Sequence, residues 1–202
     1  MNILRISCSP RGREAESHKL SDLIVHRLVE QGGPATLLAE RMLCADPVPH
    51  IGADYENIVR MSEAEKQGNA SAIRSEVLIG EVERADAIVI ATPMHNLAAP
   101  SVLKAWIDHV VRAGRTFDVT TEGKKGRLWD RPVFVAISSG GHFSGEQARQ
   151  PDFLVPYLSA VLGMIGLANI TFFSIQGTGM GGAVLAHARQ NAARAVSEHF
   201  AL

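Results

Sequence analysis

Cysteine is scarce in this chain of 202 residues: only Cys8 and Cys44 carry thiols, too few for a disulfide scaffold. A reducing cytoplasm fits best. Cys8 follows an apolar run, and a buried thiol acting as a small hydrophobe is expected there ahead of a reactive one. No apolar run is long enough to span a bilayer. Residues 1–7 carry Arg5 inside the apolar stretch, without the charged, apolar and small-residue order of a signal peptide, so no secretion signal is expected. An excess of positive charge is missing too. With 20 Lys and Arg against 21 Asp and Glu, the formal net charge of -1 offers no basic surface for nucleic acid.

Several catalytic signatures are also absent. The eight histidines show no H-E-x-x-H or other metal-ligand spacing, so no metal is expected. The G-x-x-x-x-G-K-[ST] phosphate loop does not occur, and the serines beside glycines near Ser138 and Ser144 lack the G-x-S-x-G elbow. Residues 177–182, G-T-G-M-G-G, satisfy G-x-G-x-x-G between a strand and a helix, with Glu198 at a tempting distance. The dinucleotide fingerprint needs a further strand carrying that acid, and Leu202 comes first.

What is present is an alternation of strand and helix patterns. Apolar, β-branched runs at 3–7, 35–38, 87–91, 133–137 and 170–175 predict five strands. Helical spacing predicts helices over about 17–31, 73–84, 101–113, 152–166 and 183–200, with boundaries good to two to four residues. This order implies one α/β domain over residues 1–202, built on a doubly wound parallel sheet. Residues 45–71 form a longer, polar excursion broken by Pro47, Pro49, Gly52 and Gly68. A lid and a solvated excursion with a partial helix around 55–66 both fit it.

The most informative stretch is 87–117. A strand buried on both faces runs into Pro93-Met94-His95-Asn96-Leu97, and Pro100 then opens a helix whose Leu103, Trp106, Ile107, Val110 and Val111 fall on one face, with Gly114 as its left-handed stop. Ligands of open parallel sheets bind at such strand ends. The first strand similarly leads into residues 9–17 and a helix. Its N-terminal N–H groups, the Ser9 and Ser17 hydroxyls, and the Arg11 and Arg13 charges would suit a phosphate. The same residues also fit a plain N-cap at Ser17 and a solvated arginine face. The fourth strand ends in Ser138-Ser139-Gly140-Gly141-His142, where paired glycines let backbone approach a flat ligand. A glycine turn without a ligand would read alike.

Together these three strand-end loops resemble the FMN-dependent NADH azoreductases, or quinone reductases, of the flavodoxin-like fold. The resemblance extends through L-K-A-W-I-D-H-V-V-R-A-G-R-T-F after the second loop and P-Y-L-S-A-V-L-G-M-I-G at 156–166. It implies a five-stranded parallel sheet in the order 2-1-3-4-5, one FMN per chain and a homodimer with each flavin site beside the interface. It places the FMN phosphate on Ser9, Ala15, Glu16 and Ser17, where Ala15 stands in place of the usual serine. Pro93, Met94, His95, Asn96 and Leu97 would lie along the flavin, with His95 and Leu97 replacing the usual Tyr and Phe. Ser138, Ser139, Gly140 and Gly141 would cover its pyrimidine end, with Ser139 in place of a common arginine.

The implied reaction is a two-step exchange. NADH or NADPH gives hydride to the flavin, and a quinone or azo acceptor then takes it on the same face, so the flavin carries the chemistry and no side-chain nucleophile is needed. His142 is a candidate proton donor, and a surface or purely structural role for it stays open. The alternative is a flavodoxin-type electron carrier that binds FMN without turning over pyridine nucleotide. Such carriers tend to be strongly acidic, whereas this chain is nearly neutral.

Overall fold

The computed structural model describes residues 1–53, 55, 58, 61 and 63–201. In chain order the strands are β1 (Asn2–Ser7), β2 (Leu37–Met42), β3 (Ala87–Pro93), β4 (Phe117–Thr120), β5 (Gly123–Gly126), β6 (Val133–Ser139) and β7 (Ile170–Gln176). The helices are α1 (Glu16–Gly32), α2 (Glu63–Gly68), α3 (Ala70–Arg84), α4 (Ser101–Val110), α5 (Val155–Met164) and α6 (Gly182–Phe200). Five strands form a parallel sheet in the order β2-β1-β3-β6-β7, while β4 and β5 pair as a separate antiparallel hairpin. With the hairpin set aside, this is the expected 2-1-3-4-5 order.

The period of two along β3 explains the layering. Ile88 and Ile90 enter one core with Leu78 and Val82 of α3, Leu103 and Trp106 of α4, and Leu158 and Leu162 of α5. Ala87 and Val89 point the other way, to Leu20, Ile24 and Leu28 of α1 and to Ala192 and Val196 of α6. A strand buried on both faces carries no polar side, which is why its sequence reads as unbroken hydrophobe.

The boundaries of β2, α4 and α5 differ from the sequence reading, each for a local reason. β2, expected at 35–38, runs over Leu37–Met42, because Gly33 at φ 71 and the Thr36 N–H to Gly33 O bond (3.1 Å) turn the chain first. Its later charges are tolerated because Glu40 pairs with the buried Arg5 and Arg41 with Glu81. Helix α4 stops at Val110, not Ala113. Thr116 Oγ1 donates to Val110 O (2.8 Å) and accepts from Arg112 N–H (2.9 Å), so a side chain caps the helix end before Gly114 is reached.

Helix α5 starts at Val155, because the Asp152 carboxylate accepts from Leu154 and Val155 N–H (2.9 and 3.0 Å) ahead of it. The hairpin went unexpected, although Phe117-Asp118-Val119-Thr120 alternates and Gly123 supplies φ 118 at its turn. Of the partial helix expected at 55–66, only α2 is seen, and residues 54, 56, 57, 59, 60 and 62 lie outside the described residues. Among the described residues no helix is long and apolar enough to cross a membrane.

Candidate active site

The chain leaves β1 toward β2 on one side and returns as β3 on the other, so the loops after β1 and β3 diverge and leave a crevice at the carboxyl edge. The loop after β6 joins them through the register. Pro93 pairs with Ser138, and Met94 N–H donates to Ser138 O (2.8 Å).

After β1, a bond from Gly12 N–H to Ser9 O (3.0 Å) and a short 3-10 turn over Gly12–Glu14 carry the chain to Ala15, the N-cap of α1. Ala15 offers no side-chain cap. The first helical bond runs from Lys19 N–H to Ala15 O (3.0 Å), so the N–H groups of Glu16, Ser17 and His18 have no acceptor within the helix. Ser17 is 0% exposed, and its Oγ has no hydrogen-bond partner. An unsatisfied buried hydroxyl costs about 1–3 kcal/mol. An anion seated on these amides would relieve it, and the helix dipole favours the same charge.

The Glu16 carboxylate does not compete for that place. It is turned to Arg189 of α6 in a two-pronged pair at 2.6 and 2.7 Å, and the guanidinium bonds hold it below the usual carboxylate range against the opposing effect of burial. Glu16 thus offers the crevice its N–H alone. Arg13 is likewise occupied, bound to Glu40 at 2.9 Å. Beneath the loop, His18 Nδ1 lies 2.8 Å from Ser7 Oγ, and burial followed by the Arg5 charge pushes its pKa down, which favours the neutral imidazole. Cys8 is buried, and desolvation drives its thiol far above the ordinary range, as befits an inert hydrophobe.

After β3, His95 and Ala98 exchange backbone bonds of 3.0 Å in both directions, closing a two-residue turn over Asn96 and Leu97. Both central residues have positive φ, 48° and 70°. Asn tolerates this conformation, but in leucine the left-handed region costs about 1–2 kcal/mol. Such strain gathers at ligand sites. Leu97→Gly is therefore expected to raise the melting temperature by about 2–4 °C, the yield of about 1 kcal/mol net of glycine's greater chain entropy. Differential scanning calorimetry of the variant checks the sign.

After β6, Ser139 is buried, and the carbonyls of Ser139, Gly140 and Gly141 accept from Thr178, Gly179 and Gly177 N–H at 3.0, 3.3 and 3.3 Å. The G-T-G stretch that mimics a dinucleotide motif thus serves as backing for the S-S-G-G loop. The Gly140 and Gly141 N–H groups have no partner among the described residues, and a Cβ at Gly140 would meet open space. His142 lies apart. It lines a cavity of about 340 Å³ with Gln176 and His187, and its Nε2 would fall 2.9 Å from a Cβ on Gly177.

Sequence reasoning missed Arg189, which anchors Glu16, as well as His18 beneath the loop and Gln150, whose amide joins the second and third loops. No spacing rule links residues so far apart in the chain. Only the paired glycines hinted that something must sit close to Gly141.

Fold and site define a doubly wound α/β protein with a buried, unpartnered hydroxyl and unpaired N–H groups at the start of the first helix and two further loops beside it. The flavodoxin-like fold family matches residues 1–200. The FMN-dependent NADH:quinone oxidoreductase 4 of Pseudomonas fluorescens is 47% identical over 176 residues, covering 87% of this chain and 84% of that protein. A namesake from Cupriavidus pinatubonensis is 43% identical over 170 residues, 83% and 82% of the two chains. Among solved structures, azoreductase AzrA superposes with a TM-score of 0.80 at 26% identity, covering 98% of this chain and 100% of that one. The chain belongs to the family of FMN-dependent NADH:quinone oxidoreductases, within the flavodoxin-like fold.

Proposed function

We propose that this protein is an FMN-dependent oxidoreductase that oxidises NADH or NADPH and reduces quinones and azo compounds, working as a homodimer. The observation that carries this reading is the buried, unpartnered Ser17 Oγ beside the free N–H groups of α1. That arrangement fits the phosphate end of FMN. Ser9 and Ser17 would hold it through hydroxyls, and Ala15, Glu16 and Ser17 through the backbone that opens the helix. Pro93, Met94, His95, Asn96 and Leu97 would line the ring. Ser138, Ser139, Gly140 and Gly141 would take its pyrimidine end, where the two glycine N–H groups stabilise negative charge as an oxyanion hole does.

Bound FMN supplies hydride acceptance from the nicotinamide and hydride donation to the second substrate. The protein's part is to bind, orient and exclude water. A stable dimer would bury more than about 1,200 Å² in total. Phe153, 58% exposed and joined through its N–H to Leu97 O (3.2 Å), is an apolar residue at the rim that such a partner would cover.

His95 and Leu97 set the expected substrate preference. Imidazole and an aliphatic chain give less stacking surface than two larger aromatics, whose pairs contribute about 0.5–1.5 kcal/mol beyond buried area. Small quinones are therefore expected to outperform bulky azo dyes. His95→Tyr with Leu97→Phe should move the kcat/KM ratio toward the dye, measured with one benzoquinone and one azo dye. An unchanged ratio at full FMN occupancy would remove these two positions from acceptor choice.

A further inference from the structure

Gln150 lies between β6 and α5, in a segment whose Arg149 N–H closes back on His142 O (2.9 Å). Its side chain reaches both loops beside the crevice. Nε2 is 3.3 Å from Met94 Sδ and 3.2 Å from Ser139 Oγ. A thioether can only accept, so the carboxamide nitrogen must be the atom that faces Met94, and the chemistry fixes the orientation of the amide. Both amide hydrogens are then used. Oε1 has no hydrogen-bond partner among the described residues, and it overlies Gly141, where a Cβ would fall 2.6 Å from it.

We propose that Gln150 Oε1 is the hydrogen-bond acceptor for the N3–H of the bound flavin. This rests on the FMN reading above. The pyrimidine edge of an isoalloxazine presents two carbonyl oxygens with one N–H between them, so it asks a site for donors and for one acceptor. Gly140 and Gly141 N–H are donors with no partner among the described residues. The loop's own carbonyls are already engaged by Gly177, Thr178 and Gly179. Gln150 Oε1 is a side-chain amide oxygen beside this loop that accepts from no described residue, and it sits over Gly141, one of the two glycines whose N–H groups would meet the ring's carbonyls. Ser139 is part of the arrangement, because an arginine there would bring donors only, whereas its hydroxyl accepts from the Gln150 amide and holds it in place.

The test is a titration of the full-length, flavin-free chain with FMN and with 3-methyl-FMN, in which N–CH3 replaces N3–H, followed by flavin fluorescence. Wild type is expected to bind FMN about 3- to 10-fold more tightly than the methylated form, the range of one net hydrogen bond. Gln150→Ala should bring that ratio close to one by weakening FMN alone, since it removes the acceptor and leaves room for the methyl group. Wild type that binds both flavins equally, or an alanine variant that keeps the full preference, overturns the inference while leaving the FMN reading intact. Wild type that binds neither flavin overturns both.

Discussion

Ser17→Ala should weaken FMN binding by about 1.5–3 kcal/mol, the range for a hydrogen bond to a charged group. Riboflavin, which has no phosphate, should bind wild type and variant alike. The flavin-free protein should respond with the opposite sign. Removing a buried hydroxyl that has no partner is expected to leave its stability unchanged or raise it, because the desolvation cost of that group disappears. Isothermal titration with the two flavins, together with urea unfolding of the flavin-free chain, separates these effects. Equal loss of affinity for FMN and riboflavin would show that Ser17 does not meet the phosphate.

Trp106→Ala should cost about 3–5 kcal/mol of folding stability, the range for emptying a buried aromatic site. Trp106 is 1% exposed on α4 and packs in the core that supports β3 and the loop beyond it. Its Nε1 is buried without a partner, so the indole contributes shape and apolar area there, with no hydrogen bond to lose. Trp106→Phe is accordingly expected to cost less than the alanine change, since it keeps much of the packing and removes the orphaned N–H. Urea midpoints at constant m-value measure both. A phenylalanine variant as unstable as the alanine one would place the energy in the indole N–H instead.

The legible parts of this protein are those in which neighbouring residues share one physical task. Strand β3 announced itself because burial on both faces left it no polar residue, and α4 because Leu103, Trp106, Ile107 and Val110 repeat at helical spacing. Strand β2 was harder to place. At the sheet's edge its side chains answer to Arg5 and Glu81, which are distant in the chain. The three loops were readable as loops from their glycines, prolines and serines. Their internal wiring was not: Glu16 turning to Arg189, or Gln150 to Met94 and Ser139, joins residues up to 173 positions apart. The left-handed Leu97 was also invisible, since leucine carries no turn signal and its φ follows from the His95 and Ala98 exchange.

The most direct measurement is an anaerobic titration of the FMN-loaded protein with NADH and NADPH, followed by addition of a benzoquinone, with visible absorbance recorded throughout. An NAD(P)H-dependent quinone reductase loses its flavin colour on stoichiometric addition of at least one of the two nucleotides and regains it when the quinone is added. Flavin that stays oxidised with both nucleotides, yet is bleached by a chemical reductant, would mark an electron carrier and contradict the proposed activity.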